Sequence, residues 1–458
     1  MSSMKLSRRG FLRLMGVSTA VAVVAACKPR PPAPGPAATE KPVEAPVAAT
    51  ESLRGKKITT WTWGGVRFWE RGDDQPISTR EMFDEDSGGI EVEVVVYPYA
   101  DYLTALKTAL PGGTGPDVFE VNWQVVQPYV SADLLRPLDD LASATWGEWK
   151  DAFLKPVIDE IMRLGKEDGS GNAYMLATNC DVAGYMWYNI PVFEEHGISV
   201  PKDWAEFESI CEELKSVEVL PIVMGGKDQW QHQWWWLALA EVLAPGKMAK
   251  VEEFEISFVD DDLERTAVTY KSMFDNHWFA EGTMGMDVWT GAMPLFWQSE
   301  AAMFMAGSWA IYWTGSFVSE EVNKATEHMG CFLPPGGKGL STVSTAWSMT
   351  QTAKEPEAAW EFIKFWVDGR GAEVVATFTG LPASKRLPPK STGTPFDKNI
   401  IEPSIKQMFE GENAFANPRC ATLAEAIGNS CQGLALGQLT PEQMLVDLQS
   451  VNDSQCKR

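Results

Sequence analysis

From Ile58 onward, apolar and polar positions alternate in short runs whose period changes in a regular order. Ile58 to Trp63 reads as a strand, Thr79 to Asp86 as part of a helix, Ile90 to Tyr97 as a β-branched strand, Asp101 to Leu110 as a helix and Asp117 to Val121 as a further strand. Strand, helix, strand, helix, strand is the signature of right-handed βαβ units, so a parallel sheet with helices on both faces is predicted. Ligands of such sheets collect at the carboxyl ends of strands. That singles out Trp63-Gly64-Gly65 after the first strand and Asn122-Trp123-Gln124 after the third.

A second α/β region begins beyond Asn189. Asp203 is placed to N-cap a helix running to about Ser216, Leu220 to Met224 reads as a strand ending in Gly225-Gly226, and the next helix begins near Trp230. Leu263, Ala267, Tyr270 and Phe274 recur at helical spacing and predict an amphipathic helix with one buried stripe. Pro356 opens a later helix whose apolar face carries Trp360, Ile363 and Val367. No internal repeat of solenoid period is present. With 458 residues the chain exceeds the size at which one core stops growing, so two domains are expected.

The N-terminal segment follows different rules. Lys5, Arg8, Arg9 and Arg13 form a basic head, followed by an apolar run from Leu14 to Ala26 that is too short to span a bilayer as a helix. Ser7-Arg8-Arg9-Gly10-Phe11-Leu12-Arg13 resembles the twin-arginine export signal, with Arg in place of the final Lys. Val24-Ala25-Ala26-Cys27 is similar to a bacterial lipobox, with Val in place of the usual Leu, which implies cleavage before Cys27 and lipidation of its thiol. Residues 1–27 are thus expected to be a leader, and 28–55, rich in Pro and Ala, an extended tether. The expected location is the outer face of the cytoplasmic membrane or the periplasm, with the protein anchored through Cys27.

Composition narrows the function. A formal net charge of -23 argues against nucleic acid, whose phosphates need clustered Lys and Arg. The 20 Trp residues are far above ordinary usage and need an explanation. Cys180, Cys211, Cys331, Cys420, Cys431 and Cys456 form no C-x-x-C; outside the cytoplasm an even count permits disulfides, and spacing does not fix the pairing. Cys420 and Cys431 are the nearest in sequence.

Five further stretches occur in a fixed order: Gly115-Pro116-Asp117-Val118; Met186-Trp187-Tyr188-Asn189 with Val192-Phe193-Glu194-Glu195-His196-Gly197; Pro201-Lys202-Asp203-Trp204-Ala205-Glu206-Phe207; Ala301-Ala302-Met303 through Gly307-Ser308-Trp309; and Gly380-Leu381-Pro382-Ala383. Together they resemble the extracellular solute-binding proteins of ABC transporters, in the sugar-binding branch typified by maltose-binding protein. The resemblance implies a two-lobed α/β periplasmic-binding-protein-like fold (class II), each lobe a central β-sheet flanked by helices, with the ligand cleft between lobes. Three crossings between lobes are then expected, near Val182, Phe332 and Asp368, giving lobe 1 as 56–181 plus 333–367 and lobe 2 as 182–332 plus 368–458. Ser344-Thr345-Ala346-Trp347 stands where the family often has Gly-Gly.

A pyranose offers C–H faces and an equator of hydroxyls, and both must be answered. Trp covers the faces with large apolar area and a negative quadrupole, while carboxylates and amides take hydroxyls in pairs. The candidate stacking residues are Trp63, Trp123, Trp230, Trp234, Trp309 and Trp347, with Trp309 matching a stacking Trp of the family motif; the candidate hydrogen-bonding residues are Gln124, Asp181 and Gln233. Asp181 lies at the first crossing, where the resemblance implies an acidic ligand contact. Trp187, Trp204, Trp360 and Trp366 are assigned to the core. Of Trp234, Trp235 and Trp236, at least one must pack inward.

His196, His232, His277 and His328 form no H-E-x-x-H, and neither G-x-S-x-G nor a Walker A lysine is present, so no catalytic residue, metal or cofactor is expected. His232 lines either the cleft or a solvated helix start. Asp260-Asp261-Asp262 is better read as a helix N-terminal acidic cluster than as a cation site. The expected partners are a carbohydrate ligand and the permease subunits of an ABC transporter, with the protein a monomer. Two alternatives stay open: a surface-anchored carbohydrate-active enzyme, suggested by paired acids such as Asp139 and Asp140, and the same fold holding a polyamine.

Overall fold

The computed structural model describes residues 51–64, 69–70, 78–308, 328–379, 381–387 and 397–456; the leader with Cys27, most of the tether, and Trp309 lie outside them. Among the described residues ten strands occur in this order: β1 Lys57–Thr62, β2 Glu91–Val96, β3 Val118–Val121, β4 Leu176–Ala183, β5 Tyr185–Asn189, β6 Leu220–Val223, β7 Ala301–Ala306, β8 Met329–Phe332, β9 Gly339–Met349 and β10 Asn413–Phe415. They form two sheets, one of order β10-β9-β3-β1-β2 with β4 also on β9, the other of order β6-β7-β5-β8. Both belong to one compact unit, Ala48–Arg458.

The first sheet begins as the sequence pattern predicts, with β1 parallel to both β2 and β3. β9 then enters antiparallel to β3 and β4. Because β4 pairs with β9 from Leu340 to Trp347, β3 and β10 must share the opposite edge, β3 at residues 346–349 and β10 at 339–341. Every residue of β3 and β4 is buried, as expected of central strands covered on both faces. On one face lies the helix Pro356–Val367, where Phe362, Phe365 and Trp366 are buried along with the predicted Trp360, Ile363 and Val367. Its apolar surface is thus wider than a single stripe.

In the second sheet β6 is parallel to β7, and β5 is antiparallel to β7 and β8. Its helices include Trp204–Ser216, Gln229–Leu243, Asp261–Asp275, Ala421–Ala435 and Pro441–Val451. Asp203 caps the first of these, accepting from the Glu206 N–H at 2.9 Å. Asp260 caps Asp261–Asp275 by accepting from the N–H groups of Asp262 and Leu263. Lys247 also bridges Asp260 and Asp262 at 2.6 and 2.8 Å, and Arg265 pairs with Asp262 at 3.0 Å, so these two carboxylates are paired within the fold.

The crossings differ in part from expectation. The first falls at Gly184, between β4 and β5, where φ is +74° and a Cβ would crowd Leu340. The second is the turn between β8 and β9. Past Asp368, however, the chain stays with the first sheet. Gly371 lies so close to Phe365 that only a glycine fits, the helix Arg370–Thr379 folds back, and Arg370 pairs with Glu85 at 2.9 Å and Asp86 at 3.1 Å. Pro382 then bridges to Asn179, and Ser384 to Phe153. Asp368 is a local anchor here, accepting from Ser384 Oγ at 2.9 Å and Arg386 at 2.8 Å. Residues 368–387 therefore belong to lobe 1, and β10 returns to the same sheet before Ala421–Ala435 packs on Gln229–Leu243. The third crossing is instead the loop from Ala416 to Cys420.

Candidate functional site

Strand directions decide which edges of the two sheets border the crossings. β4 ends at Ala183, paired with Leu340 near the start of β9. β3, antiparallel to β9, runs toward that same edge, and β1 runs with β3. In the second sheet, Tyr185 at the start of β5 pairs with Ala306 at the end of β7, and β6 is parallel to β7. The carboxyl ends of β1, β3, β6 and β7 thus all lie at the crossings, the position where an open α/β fold presents its ligand loops.

On the first edge the loop after β1 is tied to β3 through Glu120. This buried carboxylate accepts from Thr62 Oγ1, from the Trp63 N–H at 2.9 Å and from the Gly64 N–H at 3.2 Å. Trp63, half-buried, meets Tyr99 and Tyr102 edge-on with centroids 5.3 and 5.1 Å away. Asn122 caps the helix Trp123–Ser131, accepting from the Val125 N–H at 3.0 Å.

On the second edge, Gly225-Gly226 carries the chain from β6 toward the helix Gln229–Leu243. A Cβ on Gly225 would stand 2.4 Å from Val288 Cγ2, so this turn and the Asp287–Ala292 segment are in direct backbone contact. Asp228 fixes that contact by accepting from the Val288 N–H at 2.8 Å. Above it sit Trp230 and Trp234, both half-buried and edge-on at 4.9 Å, with Trp289 6.5 Å beyond Trp230. Between the edges, Asp181 on β4 is fully buried and accepts from Ser308 Oγ at 2.6 Å. Burial pushes its carboxyl up to about 7, against the opposing pull of Ser308 and Ser344. Ser344 lies where the β4/β9 register slips, between partners Thr345 and Val343.

A family profile described as bacterial extracellular solute-binding protein matches residues 70–369. The chain belongs to that family. Among relatives of this solute-binding protein, an uncharacterized ABC transporter extracellular-binding protein of Pyrococcus horikoshii is 24% identical over 375 residues, covering 80% of this chain and 73% of the relative. A multiple sugar-binding protein of Streptococcus mutans is 24% identical over 344 residues, covering 71% and 74%. Among solved structures, a chitin oligosaccharide binding protein superposes with a TM-score of 0.72 at 20% identity, covering 87% of this chain and 98% of that one.

The solute-binding protein does not use all its predicted site residues alike. Trp63, Trp230 and Trp234 lie at the two edges, partly accessible. Trp123 is fully buried, its Nε1–H donating to Pro418 O at 2.8 Å and its ring covered by the Arg163 guanidinium at 4.3 Å. Trp347 is also fully buried; its Nε1–H donates to Thr178 Oγ1 at 3.0 Å, and its ring packs on Trp366 and Phe362. These two expectations are corrected: both indoles have found core packing and a hydrogen-bond acceptor, which leaves neither face for a ligand. Gln233 is likewise buried, its Nε2–H donating to Ala416 O at 2.9 Å, so its amide holds the loop before Cys420 instead of lining the cleft. Gln124 is the second residue of the helix Trp123–Ser131, and Trp309 lies outside the described residues.

Both readings of His232 give way to a third. It is buried, with Nε2 2.7 Å from Gly226 O and Nδ1 2.6 Å from the Tyr270 hydroxyl. The carbonyl cannot donate, so the proton sits on Nε2 and Nδ1 accepts from Tyr270. Burial lowers its pKa to about 4, which keeps the ring neutral. Asp139 accepts from the Ala173 N–H at 2.6 Å and Asp140 pairs with Arg136 at 3.3 Å, so each serves local structure. Cys420 pairs with Cys456, while Cys431 stays a buried free thiol along with Cys180 and Cys211; Cys331 is free and half-buried. Sequence reasoning missed Tyr99, Glu120 and Trp289. The only signal for Trp289 was an aromatic residue between Asp287 and Gly291, outside any periodic run.

Proposed function

We propose that the protein captures a carbohydrate outside the cytoplasm, between its two lobes, and delivers it to the permease of an ABC importer, anchored to the membrane by lipid on Cys27. The observation that carries this reading is the pair of aromatic edges at the crossings: Trp63 with Tyr99 on one sheet, and Trp230 with Trp234 on the other. Their rings suit the C–H faces of a sugar. Asp181 and Ser308, both fully buried and bonded to each other, brace the junction between these edges and, like Gln233, present no free surface to a sugar. The sugar-binding names of relatives such as the Streptococcus mutans protein support the ligand class. The enzyme alternative loses its motivating pair, because Asp139 and Asp140 are engaged in local structure.

Titration calorimetry against mono- and oligosaccharides tests the reading. One class of sugar is expected to bind tightly, and Trp230→Ala should weaken that binding by about tenfold, the scale of one lost aromatic contact. Silence across all sugars, or unchanged affinity in the variant, would sink the assignment.

A further inference from the structure

Trp289 stands apart from the other tryptophans of the second lobe. It keeps 42% of its surface exposed, whereas Trp235 and Trp236 in the neighbouring helix are buried. A single exposed aromatic residue is ordinary on a protein surface. Two further facts make this one informative. First, it continues a row: Trp234 meets Trp230 at 4.9 Å, and Trp230 is followed by Trp289 at 6.5 Å with 37° between the ring planes. Second, its backbone is held as firmly as a core segment. Asp287 accepts from the N–H groups of Trp289 at 3.0 Å and Thr290 at 2.8 Å. Val288 is buried against Gly225, and its N–H is held by Asp228.

This geometry is a cost unless something uses it. A rigid mount that leaves 42% of a large apolar side chain exposed forgoes part of the burial it could gain elsewhere. The mount keeps Trp289 beyond Trp230, on the carboxyl-end edge of the second sheet, where the proposed ligand enters. A monosaccharide already covered by Trp230 has no further ring for Trp289 to meet. A chain of sugars has one, because each added unit brings its own C–H face.

We propose that Trp289 is a specificity-determining residue that covers an additional sugar unit beyond the one at Trp230, so that the ligand is an oligosaccharide of at least two units and not a free monosaccharide. This rests on the carbohydrate reading of the cleft. The shallow tilt between the Trp230 and Trp289 planes suits successive units of one chain, whose faces turn gradually from each residue to the next.

The test uses the whole folded protein and titration calorimetry with length series: glucose to maltotetraose, xylose to xylotetraose, N-acetylglucosamine to chitotetraose, and galactose, raffinose and stachyose. In one series, affinity is expected to rise at least tenfold from mono- to di- or trisaccharide. Trp289→Ala should lower affinity for the oligomers about five- to tenfold and leave the monosaccharide unchanged, while Trp289→Phe recovers most of the loss. Matching thermal midpoints for the variants would show that folding is intact. A uniform loss at every length, no loss at all, or a monosaccharide bound as tightly as its oligomers overturns the proposal while leaving the carbohydrate reading standing. Absence of binding by any sugar overturns both.

Discussion

Tryptophans at corresponding positions after a strand have opposite fates in this fold. Trp63 follows β1 and keeps part of its ring accessible, whereas Trp123 follows β3 and is fully enclosed. The difference lies in what waits for the indole N–H. Pro418 O meets Trp123, and Arg163 closes over its ring, sandwiched in turn against Phe415 at 4.3 Å. Pro418 lies 295 residues away and arrives only after β10, so position after a strand could not reveal it. Trp347 was equally opaque, since its role follows from sitting mid-strand in the 11-residue β9. Asp181, by contrast, was legible as a residue of the first crossing; its protonation was not. Its carboxyl, raised to about 7 by burial, is held protonated in the fold at pH values where the unfolded chain ionises it. The stability it brings is fully present below about pH 4 and is lost as pH rises through 7. Asp181→Asn should therefore gain stability relative to the parent by up to ~1 kcal/mol per pH unit between pH 4 and 7, as read by urea unfolding across that range. A difference that stays constant with pH would contradict the buried, neutral acid.

At the scale of elements, the early strands and helices were readable because each carries its own period. The observed bounds of β1, β2 and β3, and of the helices Thr79–Ser87, Trp204–Ser216 and Pro356–Val367, lie within a residue or two of the pattern. The pattern gave no strand at β4, β5, β7, β8 or β9. Two further features escaped it: β10, only three residues long, and the return of Arg370–Thr379 to the first lobe. Neither has a periodicity of its own: the first is defined by its pairing with β9, the second by a glycine fitted against Phe365. The Gly225 turn was visible in sequence as a strand ending, but its close contact with Val288 was not. Gly225→Ala should destabilise the protein by roughly 2 kcal/mol, because the obstructing atoms include the Val288 backbone and cannot simply rotate away. The same shift would displace Trp289. Thermal unfolding together with sugar titration would detect both effects, and a variant as stable and as tight-binding as the parent would refute the contact.

For the whole molecule, the two-lobed plan followed from the order of motifs, whereas the place of the third crossing did not. The loop from Ala416 to Cys420 is where the lobes are most directly stitched. Asn417, Pro418 and Arg419 offer successive carbonyls to Arg163, Trp123 and Gln127 of the first lobe, at 3.1, 2.8 and 2.8 Å, and Cys420 is then bonded to Cys456. The disulfide spans 36 residues and limits the unfolded chain, so Cys456→Ser should cost about 2–4 kcal/mol in unfolding measurements without changing which sugar is preferred. Altered sugar preference would mean that the bridge shapes the cleft itself.

The placement of β9 has a consequence for synthesis. The βαβ units of the first lobe emerge from the ribosome early, yet the open edge of β3 is completed only by Ala346 to Met349, and the same strand then awaits β10. Until then a nascent chain carries a naked β edge, the kind of surface that recruits neighbours into aggregates. A fragment cut at the first crossing would inherit that exposed edge permanently. The two lobes of this protein are therefore inseparable as units of folding.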